Sequence, residues 1–459
     1  MEHSPKHFCR PIVSVMIIVL TVMSVIGLYS CTSKKEIRNT DQIDNIIQST
    51  TGKSMQELRD WYANELFNHF IPNMDKYVID HEYGGFMCTV DIKTGELLST
   101  HKRVWYEGRG LWIYSFLYNN FMKDEKILET AKKSLDFIML HKPPKGSFWP
   151  SSYTRDGRIL EGAGDANPWI DDQGDIYGNL FIAEGLAEYA KAVGDNQYYE
   201  LAKSILFDAL DIYDNPEYRY HVSYLSADAP LIPGVRVLGH WMVLLRVVTQ
   251  ILEYRPDPDI EKVADRCVEA IMKHHLNNEY QLLNEVLCHD FTLPENEFNQ
   301  FVYIGHGIET LWMVMFEAVR RNDKELLQQS MDAFKRHVIV AHDAVYGGSF
   351  RSLDHVDNNT WKTDKVLWLQ EEILIGTLFM VEQTKDEWAQ KYFADTYNYV
   401  CEKFVRDGYK FWIHGGDRTM EEFYTNRAEH YHHPRHLMLN ILTLDRILNA
   451  SPRNGEEKM

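Results

Sequence analysis

One kind of segment recurs along this chain: a run rich in Leu, Trp and Tyr that opens at a glycine or a histidine. It appears at Gly108-Arg109-Gly110-Leu111-Trp112, and at Tyr177-Gly178 through Glu184-Gly185-Leu186 to Tyr189. It returns at Gly239-His240-Trp241-Met242, at Gly305-His306-Gly307-Ile308-Glu309, at Trp368-Leu369-Gln370-Glu371-Glu372, and at His432-His433-Pro434-Arg435-His436. Successive starts lie roughly 60 to 70 residues apart, room for two helices and two loops. A fixed period of this size means one supersecondary unit packed against copies of itself, since no unit buries its apolar face alone.

The recurring segments are apolar almost all round, the pattern of helices buried on every side. Between them lie helices with one apolar stripe and a charged face: Lys126–Leu140, Gln197–Tyr213, Ile260–His275 and Lys324–His337. The alternation predicts an inner ring of buried helices and an outer ring of amphipathic ones, an all-α (α/α)6 barrel, or toroid. Met55–Val78, with Leu58, Trp61, Tyr62, Leu66 and Phe70 at helical spacing, reads as the outer helix of the first pair. The Gly-Gly turns at Tyr83-Gly84-Gly85-Phe86 and Tyr346-Gly347-Gly348 predict short β-hairpins in the loops at one mouth. No Pro/Gly/Ser-rich linker follows residue 55, so residues 55–450 read as one domain, with a polar tail at 451–459.

The N-terminus reads separately. Lys6 and Arg10 precede an apolar run from Ile12 to Leu28, then Leu28-Tyr29-Ser30-Cys31, the pattern of an export signal. Its ending resembles a bacterial lipoprotein signal: residues 1–30 removed, Cys31 lipidated, and 31–54 a polar tether holding an exported enzyme at a membrane, facing the periplasm. An uncleaved signal anchor is the alternative. Of the other cysteines, Cys88, Cys267, Cys288 and Cys401 are scattered widely and read as free thiols rather than disulfides, although export permits the latter. The net charge of -19 excludes non-specific nucleic-acid binding, which rests on Lys and Arg neutralising phosphates.

Among twenty histidines, His240, His306 and His432 stand out because they open inner helices three, four and six. Inner-helix N-termini in a toroid point to a shared centre, so these imidazoles are placed to converge. A helix N-terminus disfavours protonated His, keeping a neutral base, and stabilises an anion formed beside it. Proton abstraction next to a carbonyl makes such an anion, and two bases flanking one carbon invert it with neither metal nor nucleotide. Each histidine has the alternative of a satisfied core or capping role. Arg109, inside an apolar helix, needs an acceptor: a sugar oxygen, a developing oxyanion, or Glu107 in an ion pair. Glu309, on the face of His306, and Glu372 are placed to orient an imidazole, bind hydroxyls or pair with Arg435. Trp105, Trp312 and Trp368 are either sugar-stacking rings or core. The cluster His430, His432, His433 and His436 lacks the acid of a His-Glu-x-x-His motif, so no metal site is read there.

These residues resemble the N-acylglucosamine 2-epimerase superfamily, which includes cellobiose 2-epimerases and mannose-type aldose–ketose isomerases. Arg103-Val104-Trp105 with Gly108-Arg109-Gly110-Leu111-Trp112 is similar to the family's first inner helix, and Asp175-Ile176-Tyr177-Gly178 to Tyr189 to its second. Gly305-His306-Gly307-Ile308-Glu309 and Tyr431-His432-His433-Pro434-Arg435 resemble its strongest motifs. The resemblance implies the (α/α)6 barrel, no cofactor, a sugar substrate, and deprotonation–reprotonation at C2. It implies His306 and His432 as paired acid/base groups, Arg109 as the substrate-orienting arginine, Glu309 as the acid after the first histidine, and Glu372 as an acid of the fifth inner helix. His240 resembles the third histidine of the cellobiose and mannose enzymes, linked there to ring opening, whereas His432-x-Pro434-Arg435 looks more like the N-acylglucosamine branch. A homodimer is left open. The expected function is 2-epimerisation of a reducing-end aldose, N-acylglucosamine/N-acylmannosamine or a gluco/manno sugar. The alternatives are aldose–ketose isomerisation through the same enediolate, an inverting glycoside hydrolase, and a non-catalytic glycan-binding lipoprotein. The hydrolase needs two carboxylates about 6.5–9.5 Å apart, for which Asp171, Asp172 and Glu372 are the candidates.

Overall fold

The computed structural model describes residues 46–160, 174–219 and 232–450. The segment that reads as an export signal, Cys31, Asp171, Asp172 and the polar tail at 451–459 fall outside them. The chain begins with α1 (Met55–Asn64), a wider π-type turn at Glu65–Phe70, α2 (Ile71–Tyr77), α3 (Val104–Asn120), α4 (Glu125–Met139), α5 (Ile176–Val193) and α6 (Asn196–Tyr213). It continues through α7 (Leu238–Tyr254), α8 (Pro258–Glu269), a second π-type turn at Ala270–His275, α9 (Ile304–Arg321), α10 (Lys324–Ala341), α11 (Leu367–Thr384), α12 (Glu387–Lys403) and α13 (His432–Ala450). The odd-numbered helices from α3 to α13 pack side by side and close on themselves as an inner ring. The even-numbered helices from α4 to α12 each cover the inner helix that precedes them. This is the (α/α)6 toroid that the period predicts.

The two rings start differently, and the difference positions the site. Outer helices carry side-chain caps. Ser54 and Glu57 form a capping box on α1, and Asp124, Asp195, Asp257, Asp323 and Asp386 accept backbone N–H groups at the starts of α4, α6, α8, α10 and α12. Inner helices α3, α7, α9 and α11 have no side-chain cap. Three of them are entered instead from two-residue strands: β1 (Lys102–Arg103) pairs with β2 (Ser152–Tyr153), β3 (Arg236–Val237) with β4 (Val286–Leu287), and β7 (Lys365–Val366) with β8 (Gly415–Gly416). The remaining pair is β5 (Ser352–His355) with β6 (Thr360–Lys362). The uncapped ends leave backbone N–H groups directed towards one mouth.

The Gly-Gly segments are tight turns closed by single bridges, Ile79 to Phe86 and His342 to Ser349, smaller than the hairpins the sequence predicts. Gly85 has φ +82° and its back is against the Glu107 carboxylate, where a Cβ would stand 2.2 Å from Oε2. Each turn is pinned by a buried lysine: Lys102 Nζ reaches Asp80 at 2.9 Å, and Lys365 Nζ reaches Asp343 at 3.1 Å. Arg155 and Arg418 bind the same two carboxylates from outside. One constellation thus braces inner helices α3 and α11.

Ring closure departs from the sequence reading. α1 pairs with the last inner helix, not the first. Arg59 Nε donates to Asp445 at 2.9 Å, and the Tyr62 ring sits edge-on to His436 at 5.2 Å. Nothing local in an amphipathic stripe says which neighbour it covers, so the first and last elements of the domain are available to each other. The packed region also begins before residue 55: Ile47 is fully buried and Asn398 donates to the Thr50 carbonyl, so the end of the predicted tether is docked. The core is dense in aromatics. Trp112, Trp241 and Trp312 on α3, α7 and α9 are fully buried, and truncating any one would cost about 3–5 kcal/mol. No helix among the described residues is long and apolar enough to cross a membrane.

Candidate active site

The mouth at the N-terminal ends of the inner ring encloses a cavity of about 820 Å³. All six inner helices reach it near their N-terminal ends. Trp105, Arg109, Tyr177, His306, Glu309, Trp368 and His432 are on its wall, joined by Arg103, Arg351, Asp364, His414, Arg427 and Glu429 from the strands and loops. The sequence-predicted His306, His432, Arg109, Glu309, Trp105 and Trp368 therefore meet in one place, although they span most of the domain.

The two wall histidines share a wiring pattern. His306 Nδ1 is 2.9 Å from Oε1 of Glu285, which is fully buried. His432 Nδ1 is 2.9 Å from Oε1 of Glu372, also fully buried. A buried carboxylate accepts, so each Nδ1 carries the proton and each Nε2 is left with its lone pair. Both rings contact the same indole: the Trp368 centroid is 6.0 Å from His306 and 5.4 Å from His432. Burial pulls the His432 imidazole down to about 4, against the opposing pull of Glu309. It is neutral and able to accept a proton at ordinary pH.

Behind His432 lies a second layer. Arg435 Nη2 donates to Glu309 at 2.6 Å and to Glu372 at 2.5 Å. Trp312 Nε1 donates to the other oxygen of Glu372 at 2.6 Å. Arg435 Nη2 also approaches His432 Nδ1 at 3.0 Å; since that nitrogen keeps its proton for Glu372, this is a close approach rather than a hydrogen bond. Glu429 caps α13, Oε1 accepting from the Tyr431 and His432 amides at 3.3 Å, and Arg427 binds its other oxygen at 2.5 Å.

Arg109 does not pair with Glu107, which instead accepts from the Phe86 amide and Ser134. Its guanidinium packs against the rings of Phe181 (4.2 Å) and Tyr431 (4.6 Å). Its Nε has no hydrogen-bond partner among the described residues. Flat rings hold a guanidinium by its faces and leave its edge for an oxygen ligand.

Four sequence-predicted residues are not on the wall. His240 is buried one layer back, edge-on to Tyr177 at 4.7 Å and Tyr213 at 5.4 Å. It opens α7 as His306 opens α9, but Tyr177 covers it. Gly239 permits this, since a Cβ there would stand 2.1 Å from the Tyr177 hydroxyl. Trp312, Arg435 and Glu372 form the layer behind His432, one step removed from the wall that the other predicted residues line. The histidine cluster separates: His430 reaches the Tyr106 carbonyl, while His433 binds Glu371 at 2.6 Å with His436 nearby at 3.5 Å. That short His433 contact is a charge-assisted hydrogen bond. Glu285 and Glu429 were missed because they lie in loops outside the repeating helix starts. Glu285 directly precedes β4, a position that no helical periodicity marks.

The family model described as N-acylglucosamine 2-epimerase (GlcNAc 2-epimerase) matches residues 84–434. Human N-acylglucosamine 2-epimerase is 24% identical over 353 residues, 73% of this chain and 77% of that protein. Cellobiose 2-epimerase of Dictyoglomus turgidum is 24% identical over 351 residues, 70% of this chain and 82% of that protein. The solved cellobiose 2-epimerase of Bacillus thermoamylovorans superposes with a TM-score of 0.71 at 17% identity, covering 84% of this chain and 99% of that one, which supports the fold. A match running from the first Gly-Gly turn to the start of the last inner helix takes in every wall helix, and the chain belongs to the N-acylglucosamine 2-epimerase family.

Proposed function

We propose that this chain epimerises a reducing-end aldose at C2, through an enediolate, with His306 and His432 exchanging roles as base and acid. One observation carries the reading: two imidazoles on one cavity wall, each with Nδ1 tied to a buried carboxylate, which makes Nε2 the basic nitrogen of each ring. Once the ring has opened, one Nε2 takes the C2 proton. The Arg109 edge supports the charge that develops on oxygen, and the second imidazole returns a proton to the other face. Glu285 and Glu372 hold each ring and stabilise its protonated form, as a buried carboxylate does for a catalytic histidine elsewhere. His240 acts through Tyr177 rather than on the sugar.

The relatives' names set the substrates to try first, N-acylglucosamine and cellobiose. The cavity is at the large end of small-molecule sites, with Trp105 and Trp368 as stacking faces. We further read Cys31 as a lipid anchor that holds the enzyme at the membrane to meet exported or imported glycan fragments. The test is a panel of free and N-acetylated mono- and disaccharides in D2O, followed by NMR. Deuterium entering C2 with a second aldose as product is the expected result. A ketose product would make the enzyme an aldose–ketose isomerase, and absence of C2 exchange across the panel would overturn the reading.

A further inference from the structure

Tyr431, one residue before His432, touches both charged systems of the site. Arg109 Cζ is 4.6 Å from its ring centroid and Arg435 Cζ is 4.7 Å. The first arginine faces the cavity; the second holds Glu309 and Glu372 behind His432. The ring also lies 5.4 Å from the His432 imidazole and 5.6 Å from Phe181, the other face of the Arg109 clamp. This one ring packs against both guanidinium groups.

What fixes the ring is a buried carboxylate on a different helix. The Tyr431 hydroxyl donates to Glu184 Oε2 at 3.0 Å, with Oε1 at 3.2 Å. Glu184 is itself tied: Gln250 Nε2 donates to Oε1 at 2.7 Å, and Gln250 accepts from Trp112 Nε1 at 2.5 Å. These residues come from α5, α7 and α3, so the tether spans half the inner ring. Glu184 and Phe181 are one turn apart on α5, so that helix supplies one jaw of the Arg109 clamp and the anchor of the other. Burying a carboxylate is costly unless it is well bonded, and Glu184 lies outside the cavity wall.

We infer that Glu184 and Tyr431 are positioning residues, which through one buried hydrogen bond hold Arg109 and Arg435 in register with His432. The inference rests on the epimerase reading of Arg109 and His432. Tyr431→Phe keeps the ring and removes the tether; Glu184→Gln keeps an acceptor oxygen; Glu184→Leu removes it. The assay is C2 exchange of N-acetyl-D-glucosamine and cellobiose in D2O, with His432→Asn as control. Expected for Tyr431→Phe is a fall in kcat of about tenfold to a hundredfold, because misplacement of about an ångström costs that much, with KM changed less than threefold. Glu184→Gln should retain most of kcat. Combining Glu184→Gln with Tyr431→Phe should be no slower than Tyr431→Phe alone, since both act on one bond. Full kcat in Tyr431→Phe with only a lowered Tm, or losses that multiply in the double variant, overturns the inference. An inactive wild-type protein on both sugars, or continued epimerisation by His432→Asn, counts instead against the epimerase reading.

Discussion

The two histidine walls of the cavity are built to different depths. His306 Nδ1 meets the buried carboxylate of Glu285, delivered by a loop beside β4. His432 rests on Glu372, which is itself held by Arg435 and Trp312, with Glu309 and Glu429 adjoining. The first carboxylate comes from a loop; the second belongs to a buried charged network with Arg435. A base needs only the right tautomer and a lone pair, and both walls supply that. The Arg435 network behind His432 adds a coupling between chemistry and stability.

The largest effects should come from the imidazoles themselves. His306→Asn and His432→Asn should each lower epimer formation by about 10²–10⁴-fold, the usual worth of a positioned general acid or base, read as product by NMR. Next come the ties. Glu285→Gln loosens the hold on the His306 ring and should lower kcat by about 10²-fold, with Tm close to wild type. Arg435→Met leaves Glu309 and Glu372 buried without their cation and should destabilise by about 3–5 kcal/mol, read by denaturant melts. Equal stability losses at the two walls would erase the distinction between them.

Smaller effects are read by pH. His432 is drawn down to about 4 by burial, so the acid limb of kcat/KM for the direction in which it is the base should lie well below 6.5. Stability follows the same sign: a histidine neutral in the fold and charged when unfolded costs stability as pH falls from 6.5 towards 4. His275 and His337, also drawn to about 4 by burial, add to that loss. His433 has the opposite sign. Although burial opposes its charge, Glu371 and Glu65 hold it up to about 9, so its contribution is complete below 6.5 and disappears as pH rises through about 9. Expected is a modest decline in Tm from pH 7 to 9.5 that His433→Gln removes; an unchanged slope in that variant would remove His433 from the ring closure it makes with Glu65.

Much of this is legible in the amino-acid sequence, for a definite reason. A buried inner ring imposes an all-apolar helix at each repeat, and the first turn of every such helix meets the same mouth, so sequence position maps to place. That mapping brought His306, His432, Arg109 and Trp368 together. It fails where a residue's orientation is decided by a neighbour: His240 has the register of His306 but is covered by Tyr177, and Trp312 turns inward to Glu372. It fails again for groups outside the period, Glu285 and Glu429, and for α1, whose stripe fits either of two inner helices.

The central claim is that the two imidazoles flank one carbon, and one-sided exchange tests it most directly. Each single variant, His306→Asn and His432→Asn, is incubated in D2O with each C2 epimer of a sugar the wild type converts. Expected is loss of the C2 proton from one epimer only in the first variant and from the other epimer only in the second, with no interconversion in either. Exchange of the same epimer by both variants, or continued epimerisation by either, would contradict it.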